Sequence, residues 1–310
     1  MKGMFTRMKK YSLFIFAVLL FISVCLPVKA EDHTSKDRRK IGDIDDFFAD
    51  YALEAPPEPI YLPIVMYHQI SQKKSKQGTY VISIDEFEKD LQLFKEQGFT
   101  TINVSELINF VTRKDELPEK PIMLTFDDGN LSDYVYALPL LKKYQMKAIF
   151  SIVGKFTDDY SEPDAIKNID FAMLSWDEIR EMHESGLADF QNHSYGMHDN
   201  SRRRGALPRK YESDEEYREI IKKDLGRLNA ELKDHIGVEP EAFTCPFGCY
   251  SDRLREAVRN AGFSVIFTSH QIMNTLTGDP EELFNLKRFL RTHGKNMDEL
   301  VKSWDQYYSK

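Results

Sequence analysis

Pro121-Ile122-Met123-Leu124-Thr125-Phe126 is a short run of apolar and β-branched residues that stops abruptly at two carboxylates and a glycine, Asp127-Asp128-Gly129. A run of this length without polar alternation reads as a strand buried on both faces, the kind found in parallel sheets covered by helices. Adjacent carboxylates at the end of such a strand repel each other and are costly to bury unless a cation or a proton separates their roles. The stretch therefore constrains the chain twice. It calls for an α/β architecture, and it calls for a metal with further ligands elsewhere in the sequence.

The 310 residues, 42% of them hydrophobic, are enough to bury a full core, so the chain is read as one large domain with an N-terminal extension. Lys9-Lys10, the apolar stretch Tyr11 to Leu26, and Pro27-Val28-Lys29-Ala30 form a basic region, an apolar core and a small-residue cleavage pattern. Residues 1–30 are thus expected to be a secretory signal peptide cut after Ala30, with an uncleaved membrane anchor as the alternative. Cys25 follows Val24, which is larger than lipid-attachment sites prefer, so a lipoprotein is disfavoured. Residues 31–60 are charged and then proline-rich (Pro56-Pro57-Glu58-Pro59) and read as a linker. Loss of the leader removes five basic residues and no acid, taking the net charge from −8 to −13. That sign argues against nucleic acid and against anionic lipid as partners, and no stable membrane association is expected after cleavage.

From Leu62 onward short apolar runs alternate with amphipathic helices. Pro63 to Tyr67 reads as a strand ending at His68, and Ser83-Ile84-Asp85-Glu86 as a capping box opening a helix with Phe87, Leu91 and Phe94 on one face. A short strand at Thr100-Thr101-Ile102 and a helix from Ser105 precede the 121–126 strand. A helix through Tyr134, Leu138 and Leu141 and a strand at Ala148 to Val153 follow it. Ser175-Trp176-Asp177-Glu178 caps the next helix, and Leu187 to Gln191 leads into His193. Ser213-Asp214-Glu215-Glu216 opens a long helix whose buried stripe is Tyr217, Ile221, Leu225, Leu228 and Leu232. Strands at Glu241 to Cys245 and Ser264 to Thr268, a possible last strand at Asn285 to Leu290, and a helix from Asn296 through Trp304 complete the series. Roughly eight strands alternating with helices is the arithmetic of a distorted (β/α) barrel, with a doubly wound open sheet as the alternative. His68, Asp127-Asp128, His193 and Pro246-Phe247-Gly248 all fall just after strands, at the carboxyl ends that converge on one face of a barrel.

His193-Ser194-Tyr195-Gly196-Met197-His198 sets two imidazoles five residues apart, a spacing that converges only in a loop or distorted turn, which Gly196 permits. Two histidines and one carboxylate make three ligands and leave an open position, as in catalytic zinc sites.

These motifs taken together resemble the NodB-like polysaccharide deacetylases, carbohydrate esterase family 4. The resemblance is carried by Thr125-Phe126-Asp127-Asp128-Gly129, His193-Ser194 with His198, Pro246-Phe247-Gly248, the lead-in Val65-Met66-Tyr67-His68-Gln69-Ile70 and the approach Leu174-Ser175-Trp176-Asp177-Glu178. It covers about residues 62–292 and is strongest to the branch that deacetylates poly-β-1,6-N-acetylglucosamine. It implies a catalytic domain over residues 61–310, a divalent metal expected to be zinc on Asp128, His193 and His198, Asp127 as base, and the Phe247 N–H as oxyanion donor. It also implies a hydrolase acting on an acetylated polysaccharide, which the leader makes secreted or wall-associated, or membrane-anchored if it is not cleaved. A peptidoglycan- or chitin-type deacetylase, an O-deacetylase and a catalytically inactive carbohydrate-binding protein are the alternatives.

In many relatives the general acid is a histidine in a late Leu-x-His motif. Here the late candidate, His293, follows Arg291 by two residues, and the branch resemblance favours His68 instead. The alternative for His68 is a histidine that only orients Asp127 or the ligands. Two features depart from the family. The arginine that relatives carry shortly before Pro246 is missing, so nothing in the sequence says what steers Asp127. Cys245 and Cys249 flank the proposed oxyanion turn. A four-residue disulfide would be strained, which favours buried reduced thiols. Trp176 reads as a packed aromatic, Arg202-Arg203-Arg204 as a solvated loop, and Tyr195 as a candidate to line the sugar site.

Overall fold

A computed structural model describes residues 58–201 and 203–308. The expected signal peptide at 1–30 and nearly all of the expected linker at 31–60 lie outside the described residues. Ile60, placed by sequence in the linker, instead opens a short strand, Ile60–Leu62, antiparallel to Asn274–Leu276. Among the described residues, no helix is long and apolar enough to cross a membrane.

The frame is an all-parallel sheet of eight strands with helices around it. In chain order these are β1 (Ile64–Tyr67), α1 (Ile84–Glu96), β2 (Thr100–Thr101), α2 (Val104–Arg113), β3 (Pro121–Asp128), α3 (Leu138–Tyr144), β4 (Ala148–Ile152) and α4 (Gly154–Ser161). They continue as α5 (Trp176–Glu184), β5 (Ala188–Asn192), α6 (Asp214–Ile236), β6 (Ala242–Thr244), α7 (Asp252–Asn260), β7 (Val265–Phe267), β8 (Phe289–Leu290) and α8 (Met297–Tyr308). The strand order is β7-β6-β5-β4-β3-β1-β8, with β2 paired to the start of β3. The sheet curls into a half-barrel, not a doubly wound open sheet. The segment 286–290 draws its edges together: Leu286 exchanges hydrogen bonds with the end of β7 (Leu286 N–H to Ile266 O, 2.9 Å; Thr268 N–H to Leu286 O, 2.8 Å), while Phe289 and Leu290 pair with β1.

Alternation along β3 explains why the core lies outside the curl and the chemistry inside its mouth. Ile122, Leu124 and Phe126 face outward into the largest apolar cluster with Phe87, Leu91 and Phe94 of α1. Phe126 lies in a row of rings, 5.0 Å from both Tyr67 and Phe150. The other face carries Met123, which packs with Ile64, Ile149, Ala242 and Val265. Thr125 and Asp127 follow on that face, and one arginine bonds both. The interior thus grades from apolar at the bottom to charged at the carboxyl ends.

Helix starts follow side-chain capping. The boxes Ser83…Glu86 and Ser213…Glu216 open α1 and α6. α2 starts at Val104, one residue before the expected Ser105, because Asn103 and Glu106 form a box there. The stretch through Tyr134 is a π-type turn, Asp133–Ala137, ahead of α3. The expected strand at 285–290 shortens to β8 because Pro280–Asn285 is a 3₁₀ turn. Buried Asp90 on α1 accepts hydrogen bonds from Tyr67 and two from Arg291 just past β8, pinning the helix to the closing segment.

Candidate metal centre and its cavity

β3 ends in a break of alternation. Adjacent strand residues point to opposite faces, yet Asp127 and Asp128 both line one cavity. Asp128 has φ 77°, a left-handed conformation that turns its carboxylate back toward its neighbour's side. Among the described residues five non-glycine positions have positive φ, and three of them, Asp128, Ser194 and Phe247, belong to this site. Such conformations cost about 1–3 kcal/mol each and persist where surrounding structure enforces them.

The cavity measures about 520 Å³ and is lined by His68, Asp127, Asp128, His193, His198 and Phe247, among others. Asp128 Oδ1 lies 3.4 Å from His193 Nε2 and 3.1 Å from His198 Nε2. All three donor atoms fall within 4.8 Å of one another, the only such group of metal-capable side chains among the described residues. His193 Nδ1 lies 2.8 Å from Thr244 O, which fixes the tautomer and leaves Nε2 as a lone-pair donor facing Asp128. The donor set therefore fits a divalent cation.

Asp127 is almost fully buried, and its partner was not evident from the sequence. Arg288 Nη1 donates to Asp127 Oδ1 at 2.6 Å and Nη2 to Oδ2 at 2.8 Å, a bidentate pair. The same guanidinium is braced by Thr125 Oγ1 at 3.1 Å and Thr268 O at 2.9 Å. Burial pushes the Asp127 pKa upward, and the Arg288 charge outweighs it and keeps the carboxyl ionised. Arg288 rides on the closing segment, a position unrelated to the arginine missing before Pro246. A charged residue inside an otherwise strand-like stretch was the available signal.

His68 follows β1 into the same cavity. Its ring lies 4.8 Å from that of Tyr80, and its Nδ1 is buried without a hydrogen-bond partner among the described residues. Burial holds its pKa below the ordinary value, while Asp127 and Asp128 pull the other way. His293 lies elsewhere: its Nδ1 is 2.7 Å from Glu86 Oε2, and it does not line the cavity.

Phe247 sits in the turn Pro246–Gly248 with φ 58° and its ring 4.4 Å from that of His198. The hydrogen bonds Gly248 N–H to Cys245 O and Cys249 N–H to Pro246 O close the turn, and neither uses the Phe247 N–H. Gly248 is obligatory, since a Cβ there would fall 1.8 Å from Ser269 Oγ. Cys245 and Cys249 are both buried and unbonded, and burial raises the Cys245 thiol pKa. Tyr195 is corrected: it does not line the cavity but bonds Asp158 at 2.9 Å beneath Arg227. Trp176 is packed against His235 at 4.2 Å, and Arg203 is paired with Glu212.

A curled parallel sheet with an Asp/His/His donor set beside a second, arginine-held carboxylate at its carboxyl ends is the arrangement of a deacetylase-type hydrolase with room for a metal. The family model of polysaccharide deacetylases matches residues 114–266, so the chain carries a polysaccharide deacetylase domain over that stretch. It is 25% identical over 252 residues to the poly-beta-1,6-N-acetyl-D-glucosamine N-deacetylase of Staphylococcus aureus (strain MRSA252), covering 81% of this chain and 80% of that one. It is 22% identical over 256 residues to the protein of the same name from Escherichia coli (strain K12), covering 76% of this chain. There the chain spans only 37% of the relative's own length. The solved structure of IcaB from Ammonifex degensii superposes with a TM-score of 0.62 at 26% identity, over 81% of this chain and 97% of that one.

Proposed function

We propose that residues 61–310 form a catalytic domain that hydrolyses N-acetyl groups from a β-linked N-acetylglucosamine polymer, with exopolysaccharide favoured over peptidoglycan. One observation carries the reading: a three-donor metal centre lies directly beside a buried carboxylate that is not needed as a ligand and is held ionised by Arg288. The names of the relatives supply the polymer. We place Zn²⁺, or a similar divalent ion, on Asp128, His193 and His198, since two imidazoles and one carboxylate suit it and leave a position open. Such an ion, when bound, polarises an amide carbonyl and acidifies water.

The side chains divide the remaining work. Asp127, fixed in place and charge, takes the proton of the attacking water. The Phe247 N–H, presented by a strained turn, donates to the carbonyl oxygen as charge develops on it. His68, on the same cavity, delivers a proton to the departing amine; burial lowers its pKa, and the charges of Asp127 and Asp128 oppose that lowering. From the leader-like pattern at residues 1–30 we also infer that this chemistry takes place outside the cell, secreted or at the wall.

The test is acetate release by purified protein from β-1,6- and β-1,4-linked N-acetylglucosamine oligomers and from peptidoglycan fragments, before and after chelation and zinc return. Release from the β-1,6 oligomer that is lost on chelation and restored by zinc is the expected result. Release only from the β-1,4 substrates overturns the polymer assignment, and no release from any of them, with no metal bound, overturns the enzyme reading in favour of a binding protein.

A further inference from the structure

The segment between the two imidazoles, Ser194 to Met197, has no strand or helix to satisfy its backbone, so each N–H must find a partner. All four find side chains. Asn192 Oδ1 accepts from Ser194 N–H at 2.8 Å, and Ser194 Oγ from Met197 N–H at 3.0 Å. The central two go to one carboxylate: Asp224 Oδ1 accepts from Tyr195 N–H at 2.8 Å and Oδ2 from Gly196 N–H at 3.0 Å. Asp224 lies near the middle of α6, 23 residues long and anchored by its buried stripe. A rigid element therefore holds the loop by both carboxylate oxygens.

The two histidines are not held alike. His193 continues β5, is 2% exposed and is fixed through Nδ1 by Thr244 O. His198 is 19% exposed and is touched by the rings of Phe156 and Phe247 at 5.9 and 4.4 Å. Its position relative to Asp128 depends on the course of the loop, and the loop's central anchor is Asp224.

We propose that Asp224 is a positioning residue of the metal centre, setting the loop so that His198 Nε2 reaches the cation held by Asp128 and His193. The inference rests on the metal reading of the site. Charge-assisted hydrogen bonds of this kind, set behind ligands, typically alter metal affinity by about 10–100-fold.

Asp224→Ala removes both acceptors, whereas Asp224→Asn keeps the shape and one acceptor but faces an N–H with an amide N–H₂. Metal-free protein is titrated with Zn²⁺ against a chromogenic chelator. The Co²⁺-substituted protein is followed by its visible absorption, and the melting of the metal-free form is recorded alongside. The dissociation constant for Zn²⁺ is expected to rise about 10–100-fold in Asp224→Ala and less in Asp224→Asn, with an altered Co²⁺ spectrum in both. Folded Asp224→Asn that binds Zn²⁺ within twofold of the parent and keeps the parent Co²⁺ spectrum overturns the proposal, even if melting drops. If Asp224→Ala does not fold, Asp224→Asn alone decides. A parent that binds no metal brings down the metal reading itself, a result distinguishable from equal binding by parent and variant.

Discussion

Arg288→Met keeps much of the buried side-chain volume and removes the guanidinium, leaving the Asp127 carboxylate without its counter-charge. Arg288 is 1% and Asp127 5% exposed, so water can replace only a small part of the lost solvation. Four hydrogen bonds are lost, two of them the 2.6 and 2.8 Å charged contacts to Asp127. Breaking a buried pair on one side costs about 3–5 kcal/mol, because the remaining charge stays desolvated. The variant should therefore lose about that much in urea unfolding at neutral pH. Acetate release should fall by about a hundredfold or more, as expected when a reacting group loses its fixed position by about 1 Å. Arg288→Lys should recover little, since an ammonium cannot reproduce the planar fork across both oxygens. A double-mutant cycle with Asp127→Asn isolates the pair. The two stability losses should be strongly non-additive, with a coupling of about 1–3 kcal/mol. Additivity to within about 0.5 kcal/mol would refute the claim that Arg288 acts through Asp127.

His68→Ala should lower turnover by about 10²–10⁴-fold while retaining bound zinc, and His293→Ala should leave turnover near the parent value. An inactive His293→Ala beside an active His68→Ala reverses the assignment. For Glu86, burial would raise the pKa, but the N–H groups of Ser83 and Gly294 and the His293 ring hold it at about 2 against the usual 4.5. A lowered carboxylate stabilises the fold above its unfolded pKa and ceases to do so as pH falls through the folded value. The melting gap between the parent and Glu86→Gln should accordingly be full above about pH 5 and close toward pH 2. A gap independent of pH would show that Glu86 acts by packing alone.

What could be read from the sequence was local. β3 was legible because a buried parallel strand must be apolar on both faces and must end where charge begins. The boxes at Ser83 and Ser213 were legible because capping needs an oxygen and an acid at fixed spacing. α4 was not, since Val153 offers no side-chain cap. Arg288, next to Lys287, looks like surface charge until the sheet curls and brings it over β3. Asp224 likewise sits among the polar residues of α6, and only docking against the 194–197 loop gives it a task. In both cases the partner is distant in the chain, and no periodicity reports such a meeting. The ambiguity between His68 and His293 had the same origin, because both follow strand-like stretches and only the closure of the curl determines which one faces inward.

That closure divides the cavity by provenance. The stretch matched by the family model, 114–266, contains Asp127, Asp128, His193, His198 and Phe247, whereas His68 and Arg288 come from the two neighbouring strands at the seam, β1 and the approach to β8. The three donors of the proposed cation site thus fall within one contiguous block, while the proposed proton donor and the arginine that holds Asp127 come from outside it. On the proposed reading, substitutions at the seam should shift the pH range and leaving-group tolerance of the cavity without touching a single proposed ligand.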